Sequence, residues 1–269
     1  MNQRRSFLKT SGKALGGLFF CGCGLSHAAN GKDAQPKRLT PIFINGKRIK
    51  TIDVHAHCMF QDAIDLMGED AKSVPPPTKG VPEHFIKIDE RSGVPEHFIK
   101  IDERIKAMEA QGIDMQVLSI NPYWYRKDKD TAAEICRLNN IHLAELCAMR
   151  PDKFAAFASL TMQDPALAVE QLENAVKKLG LRGAAIGGSV LGQDFADPKF
   201  HPVLAKAQEL NVTLFIHPQS TPQLAQRFKG NGWMSNVIGN PLDTTIALQH
   251  LIYEGVLDKY PQLKILAAH

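Results

Sequence analysis

From Lys50 to the last residue, apolar runs of β-type residues alternate with longer stretches of helical period. That alternation constrains the fold more than any other feature. The strand-like runs cover 51–57, 115–120, 154–160, 183–186, 212–216 and 264–268. Helix-like stretches fall between them at 101–111, 131–149, 165–179, 202–210 and 244–257. Asp164 before Pro165 makes an N-cap followed by proline at the first helical position, and Gly180 after Lys177-Lys178-Leu179 makes a matching stop. Strand and helix in alternation imply parallel βα units. A chain of 269 residues with 44% apolar content can bury a core of that size, as one α/β barrel or as one to two domains.

The histidines are placed unevenly on this framework. Four of the ten stand at or near the ends of apolar strands: His55, His57, His217 and His269. In Thr51-Ile52-Asp53-Val54-His55-Ala56-His57 the i, i+2 spacing turns both imidazoles to one face of an extended strand. Val212-Thr213-Leu214-Phe215-Ile216-His217 is a buried-strand run that delivers a third ring. Imidazole suits zinc and related transition metals, so His55, His57 and His217 are the candidate metal ligands. Candidate sites at strand C-termini favour a barrel over an open sheet. His142 and His250 are expected on helix surfaces and His201 in a loop. Residues just past the strand ends are expected to line the pocket: Cys58, Met59 and Phe60, then Asn121, Tyr123 and Trp124, then Gly188 and Ser189. Of these, Phe60, Tyr123 and Trp124 are the candidate substrate contacts. Gly187-Gly188-Ser189-Val190-Leu191 lacks the second glycine of a nucleophile elbow, and no P-loop or dinucleotide fingerprint is present.

Charge and cysteine usage narrow the function class. The net charge of +4 comes from Arg4, Arg5, Lys9 and Lys13, because residues 1–28 contain no acid. The remainder is balanced, with no basic stripe, which excludes nucleic acid as a partner. Arg4-Arg5 followed by a short apolar run and Ser26-His27-Ala28 is the pattern of a twin-arginine signal peptide over 1–28. It implies export to the periplasm and contact with the membrane only during export, the alternative being a membrane anchor through an uncleaved leader. Cys58, Cys136 and Cys147 match neither a zinc knuckle nor a disulfide framework. A linker and a small hairpin about Asn45-Gly46 are expected over 29–49, ahead of a barrel domain over 50–269. Within that domain, GVPEHFIKIDER occurs twice without a change, at 80–91 and 93–104, and only the second copy runs into a helix.

Asp53-Val54-His55-Ala56-His57, Gly180-Leu181-Arg182-Gly183, Phe215-Ile216-His217-Pro218 and Leu266-Ala267-Ala268-His269 stand in this order along the chain. Together they resemble the amidohydrolase superfamily, in the branch of aminocarboxymuconate-semialdehyde decarboxylase and related metal-dependent decarboxylases. The resemblance runs from about Lys50 to the last residue. It implies a TIM-type (β/α)8 barrel, here incomplete at about six βα units. It also implies one divalent metal, zinc before manganese, on His55, His57 and His217, with His269 as the catalytic acid/base. In that family an aspartate after the eighth strand completes the metal shell, and this sequence has no counterpart to it. The function implied is a carboxy-lyase acting on a small unsaturated or aromatic carboxylic acid, with a homodimer allowed for. The alternatives are a lactone or amide hydrolase on the same barrel, and an inactive barrel fragment that only binds metal or a partner.

Overall fold

The computed structural model describes residues 41–72, 100–219, 222–229 and 234–269. The leader at 1–28, the linker at 29–40 and the repeat copy at 80–91 lie outside them. Phe43–Ile44 (β1) and Lys47–Arg48 (β2) form the expected hairpin, with Asn45 and Gly46 both at positive φ in its turn. Strand β3 (Ile52–His57) follows, and then a helix the sequence reading missed, α1 (Gln61–Met67), continued by a 3-10 turn over Gly68–Lys72. Its buried residues Ala63, Ile64 and Met67 repeat at i, i+1 and i+4, a pattern too short to stand out.

From there strand and helix alternate: α2 (Ile101–Gln111), β4 (Met115–Ser119), α3 (Lys129–Met149), β5 (Phe154–Ala156), β6 (Ala158–Ser159), α4 (Pro165–Lys177), β7 (Gly183–Ile186), α5 (His201–Glu209) and β8 (Thr213–Ile216). The short α6 (Ala225–Phe228) and a wide turn of π type over Ser235–Gly239 lead to α7 (Asn240–Tyr253), α8 (Val256–Lys259) and β9 (Lys264–Ala267). Local chemistry sets several of these ends. Asp164 accepts a hydrogen bond from the Leu167 N–H at 3.1 Å with Pro165 in the first turn, and Asp128 caps α3 through the Thr131 N–H at 2.9 Å.

Every pairing from β3 to β9 is parallel, in two sheets ordered β3-β4-β5 and β6-β7-β8-β9. The single strand expected at 154–160 is therefore two. Its first half pairs with β4 and its second half with β7, and the change of partner falls at Phe157. Strands β3 and β9 each pair on one side only, so among the described residues the barrel is open.

Two layers of packing follow from the period-2 alternation. Leu214 and Ile216 face the helices and join a large core with Leu172, Val203, Leu204 and Leu251. Phe215, one residue out of phase, turns the other way and meets Phe157 and Ala185, with Val117, Leu266 and Ala268 packed around them. This second cluster is the interior of the incipient barrel, and the histidines stand above it.

Gly183 lets the sheet close up at that point. Its φ is 138°, and a Cβ there would overlap the Thr213 carbonyl, with the Thr213 nitrogen at 2.9 Å. Gly183→Ala is therefore expected to push β7 from β8 and to destabilise the fold by on the order of 3 kcal/mol. A urea unfolding midpoint equal to that of the parent chain would contradict this account.

Candidate metal centre

The three candidate ligands converge. Nε2 of His55 lies 3.0 Å from Nε2 of His57 and 2.9 Å from Nε2 of His217. The ring centroids of His57 and His217 are 4.5 Å apart. All three ligand atoms lie within 4.8 Å of one another, and among the described residues this is the only cluster of metal-ligand type. His269 stands beside it, its ring centroid 5.6 Å from that of His55 and 5.8 Å from that of His217.

Strand ends deliver these rings. The β3–β4 register slips between Asp53 and Ala56, so the bulge falls at Val54-His55 in the middle of the motif. Asp53 secures the distortion, one carboxylate oxygen accepting the His55 N–H at 3.0 Å and the other the Gln116 side-chain amide at 3.0 Å. Oε1 of the Gln116 side chain accepts from Arg104 at 3.0 Å, and Arg104 also donates to the main-chain carbonyl of His57. Arg104 is 5% exposed, and it ends the second copy of the sequence repeat. A buried guanidinium thus ties helix α2 to the backbone under both motif histidines. On the other sheet, the His217 N–H donates to the Ile186 carbonyl at 2.8 Å, which extends the β7–β8 pairing to the ligand itself.

The electrostatics keep these rings unprotonated. His55 is pushed down to about 4, first by burial and then by His269, with Asp53 opposing. His57 is pushed down to about 3, by burial and then by His55 and Arg104, and the Ser119 carbonyl opposes. His217 lies well below its ordinary value, again through burial first and its histidine neighbours second. At these distances a neutral ring can donate its N–H to one neighbour, and burial disfavours a further proton, which leaves the remaining ring lone pairs for a cation. A divalent transition metal fits this donor set, with neutral nitrogen ligands on a rigid base.

Several expected wall residues lie elsewhere. Trp124 is fully buried and its indole N–H donates to the Leu160 carbonyl at 2.9 Å, so it anchors the core and has no exposed face for a substrate. Cys58 and Met59 are core residues as well, at 0% and 4% exposure. Tyr123 is half-buried and its hydroxyl accepts from the Asn121 amide at 3.0 Å, while the Phe60 ring packs 4.9 Å from that of His142. His201 begins α5 instead of lying in a loop, with Lys259 donating to its Nδ1 at 2.7 Å. His142 and His250 are on helices, as expected.

Asp243, in the first turn of α7, had no signal in the sequence. Its carboxylate accepts from the Gln219 N–H at 3.3 Å, two residues past His217. It also fills the space above Gly188, where a Cβ would meet its Cγ at 2.7 Å. One side chain thus joins the loops after β7 and β8.

A rim of βα loops above parallel strands, with three convergent imidazoles and a fourth beside them, is the arrangement of a metal-binding barrel of the amidohydrolase type. The sequence profile described as Amidohydrolase matches residues 52–269, and the chain belongs to that family. The gamma-resorcylate decarboxylase of Rhizobium sp. (strain MTP-10005) is 34% identical over 175 residues, covering 61% of this chain and 54% of that protein. The 2-amino-3-carboxymuconate-6-semialdehyde decarboxylase of Dictyostelium discoideum is 31% identical over 169 residues, covering 61% and 46%. Among solved structures, a dihydroxybenzoic acid decarboxylase from Polaromonas sp. JS666 with bound manganese and 2-nitroresorcinol superimposes with a TM-score of 0.67 at 29% identity. That match covers 81% of this chain and 64% of that one. The chain spans about half the length of the curated relatives it matches.

Burial, and then Asp194, raise Asp243 from 3.8 to about 6, with the Gln219 N–H opposing. The folded chain therefore binds a proton that the unfolded chain has released, and stability falls as pH rises through the window between those values. Asp243→Asn retains an acceptor for Gln219 and removes the charge. At pH 7.5 it is expected to melt at a higher temperature than the parent, with a flatter pH dependence between 4 and 6. A lower melting temperature at both ends of that range would show that the ionised carboxylate is the stabilising form.

Proposed function

We propose that this chain carries the metal-binding part of a carboxy-lyase that removes CO2 from a small aromatic or unsaturated carboxylic acid. The observation that carries the reading is the convergence of three neutral imidazoles beside a fourth at the C-terminal mouth of parallel strands. The relatives named above are decarboxylases, which supports the choice of reaction.

His55, His57 and His217 would hold a divalent ion, zinc on the preference of an all-imidazole set, with manganese as the rival. When bound, such an ion supplies Lewis acidity and an anchor for an anionic substrate. The residues do the rest. The network of Arg104, Gln116 and Asp53 fixes the backbone under the ligands, so the rings need not reorganise when substrate arrives. His269 moves the proton: it delivers one to the carbon bearing the carboxylate, the C–C bond breaks, and CO2 leaves. Burial lowers the pKa of His269, so its ring rests neutral at physiological pH. A carboxylate entering the site favours its protonated form, which readies the acid as substrate binds.

Purified protein is expected to contain about one divalent ion per chain, with His217→Ala losing it, since removing a ligand leaves two protein donors. Elemental analysis of His55→Ala, His57→Ala and His217→Ala variants, loaded with zinc or manganese, identifies both site and metal. In the same preparations, CO2 release from 2,6-dihydroxybenzoate and related hydroxybenzoic and muconic acids is set against cleavage of a lactone panel. His269→Asn is expected to cut CO2 release by roughly 10²–10⁴ while leaving metal content unchanged. Lactone cleavage without CO2 release would replace the lyase by a hydrolase. Unchanged metal content in all three alanine variants would remove the metal site.

We also infer that residues 1–28 direct twin-arginine export, on the pattern of Arg4-Arg5, the short apolar run and Ser26-His27-Ala28. Replacing Arg4 and Arg5 together by lysine is expected to leave uncleaved precursor in the cytoplasm. Periplasmic protein from that variant would overturn the assignment.

A further inference from the structure

Thr244 occupies a core position of α7, 1% exposed and in register with the buried Ala247 and Leu251. Valine would fill the same volume without a buried hydroxyl to satisfy, so the hydroxyl calls for an explanation. Part of it is local: Oγ1 donates to the Asn240 carbonyl one helical turn back, at 3.0 Å. A carbonyl oxygen has no proton to give, so the single hydroxyl proton is committed there. The same Oγ1 lies 3.4 Å from Nδ1 of His269. With its proton spent, Oγ1 can only accept from that nitrogen, so Nδ1 carries the ring hydrogen and Nε2 keeps the lone pair.

We propose that Thr244 is a positioning residue that holds His269 as its Nδ1–H tautomer. Resting on the reading of His269 as the acid/base group, this makes Nε2 the nitrogen that takes up a proton and passes it to substrate. The assignment also gives the helix a second task at the site. Asp243 joins the loop two residues past His217 to that after β7, and the next residue meets the ring of His269, so one turn of α7 reaches both sides of the site. A hydrogen bond to the distal nitrogen fixes a ring's tautomer and orientation together, and losing such a partner commonly costs ten- to a hundredfold in activity.

The test separates the tautomer from the turnover. In protein labelled with 15N-histidine at pH 7.5, long-range 1H–15N correlation spectra report which ring nitrogen of each histidine is protonated. The His269 signals are assigned by their loss in His269→Asn, and spectra are recorded before and after zinc loading. The parent is expected to show protonated Nδ1 at His269. Thr244→Val is expected to shift it toward the Nε2–H form or a mixture, and Thr244→Ser to restore the parent pattern. An Nε2–H ring in the parent overturns the proposal outright, even if the valine variant fails to fold. So does a valine variant with the parent's spectrum. In turnover, Thr244→Val is expected to lower kcat by about tenfold with KM little changed, and Thr244→Ser to recover it. The proposed tautomer in a protein that releases no CO2 from any acid would retire the lyase reading and leave the tautomer assignment standing.

Discussion

Nε2 of His55 is held 3.0 Å from that of His57 and 2.9 Å from that of His217, and much of the surrounding structure serves to impose this convergence. Two rings come from one strand and the third from a strand in the other sheet. Asp53, Gln116 and Arg104 clamp the first pair from below, and continuous β7–β8 pairing carries the third into place. Beneath them, Phe215 touches His55 and His217 edge-on, at centroid distances of 5.5 and 5.9 Å, so the floor of the site is also the top of the interior cluster. Burial and the neighbouring rings disfavour protons on these nitrogens, which leaves them as donors suited to a divalent cation.

Much of the fold is legible because period and punctuation agree. α2 spans the expected 101–111, with Ile101, Ile105 and Met108 in helical spacing, and Gly112 closes it in the left-handed region. β7 matches its expected bounds, since both its faces are buried and its apolar run is uninterrupted. The misses have physical causes. Residues 154–160 read as one strand because the run from Phe154 to Leu160 is broken by no glycine, proline or charge, and only the change of partner at Phe157 divides it. Helix α1 escaped because it is seven residues long, with no side-chain cap at its start and no periodic run behind it.

The site was legible to the extent that strands carry it. A histidine at the end of a buried strand has one place to point, so His55, His57 and His217 follow from alternation and strand order alone. Residues that reach the site from helices and loops leave a fainter trace. Arg104 could have been found, since it falls between Ile101, Ile105 and Met108 on the apolar face of its helix, where a charge demands a buried partner. Thr244 shares the face of Ala247 and Leu251 and carries the same kind of signal. Asp243 carries none, because an acidic residue in a first helical turn is expected on electrostatic grounds alone. Trp124 shows the opposite error: an aromatic just past a strand end suggests a pocket wall, but its indole N–H found a carbonyl in the core.

The placement of the ligands also bears on how the fold is held. The bulged His55-Ala56-His57 segment and His217 belong to different sheets, and the chain passes between those sheets at Phe157. An ion on all three rings would therefore be a cross-link between residues 160 positions apart in sequence, from His57 to His217. Cross-links that close long loops stabilise most in principle, because they remove the most freedom from the unfolded chain. Since β3 is paired on one side only, its position relative to β8 depends on such contacts more than that of an interior strand. An ion on His55, His57 and His217 would thus also act as a clasp between the sheets that meet at the interior cluster of Phe157 and Phe215.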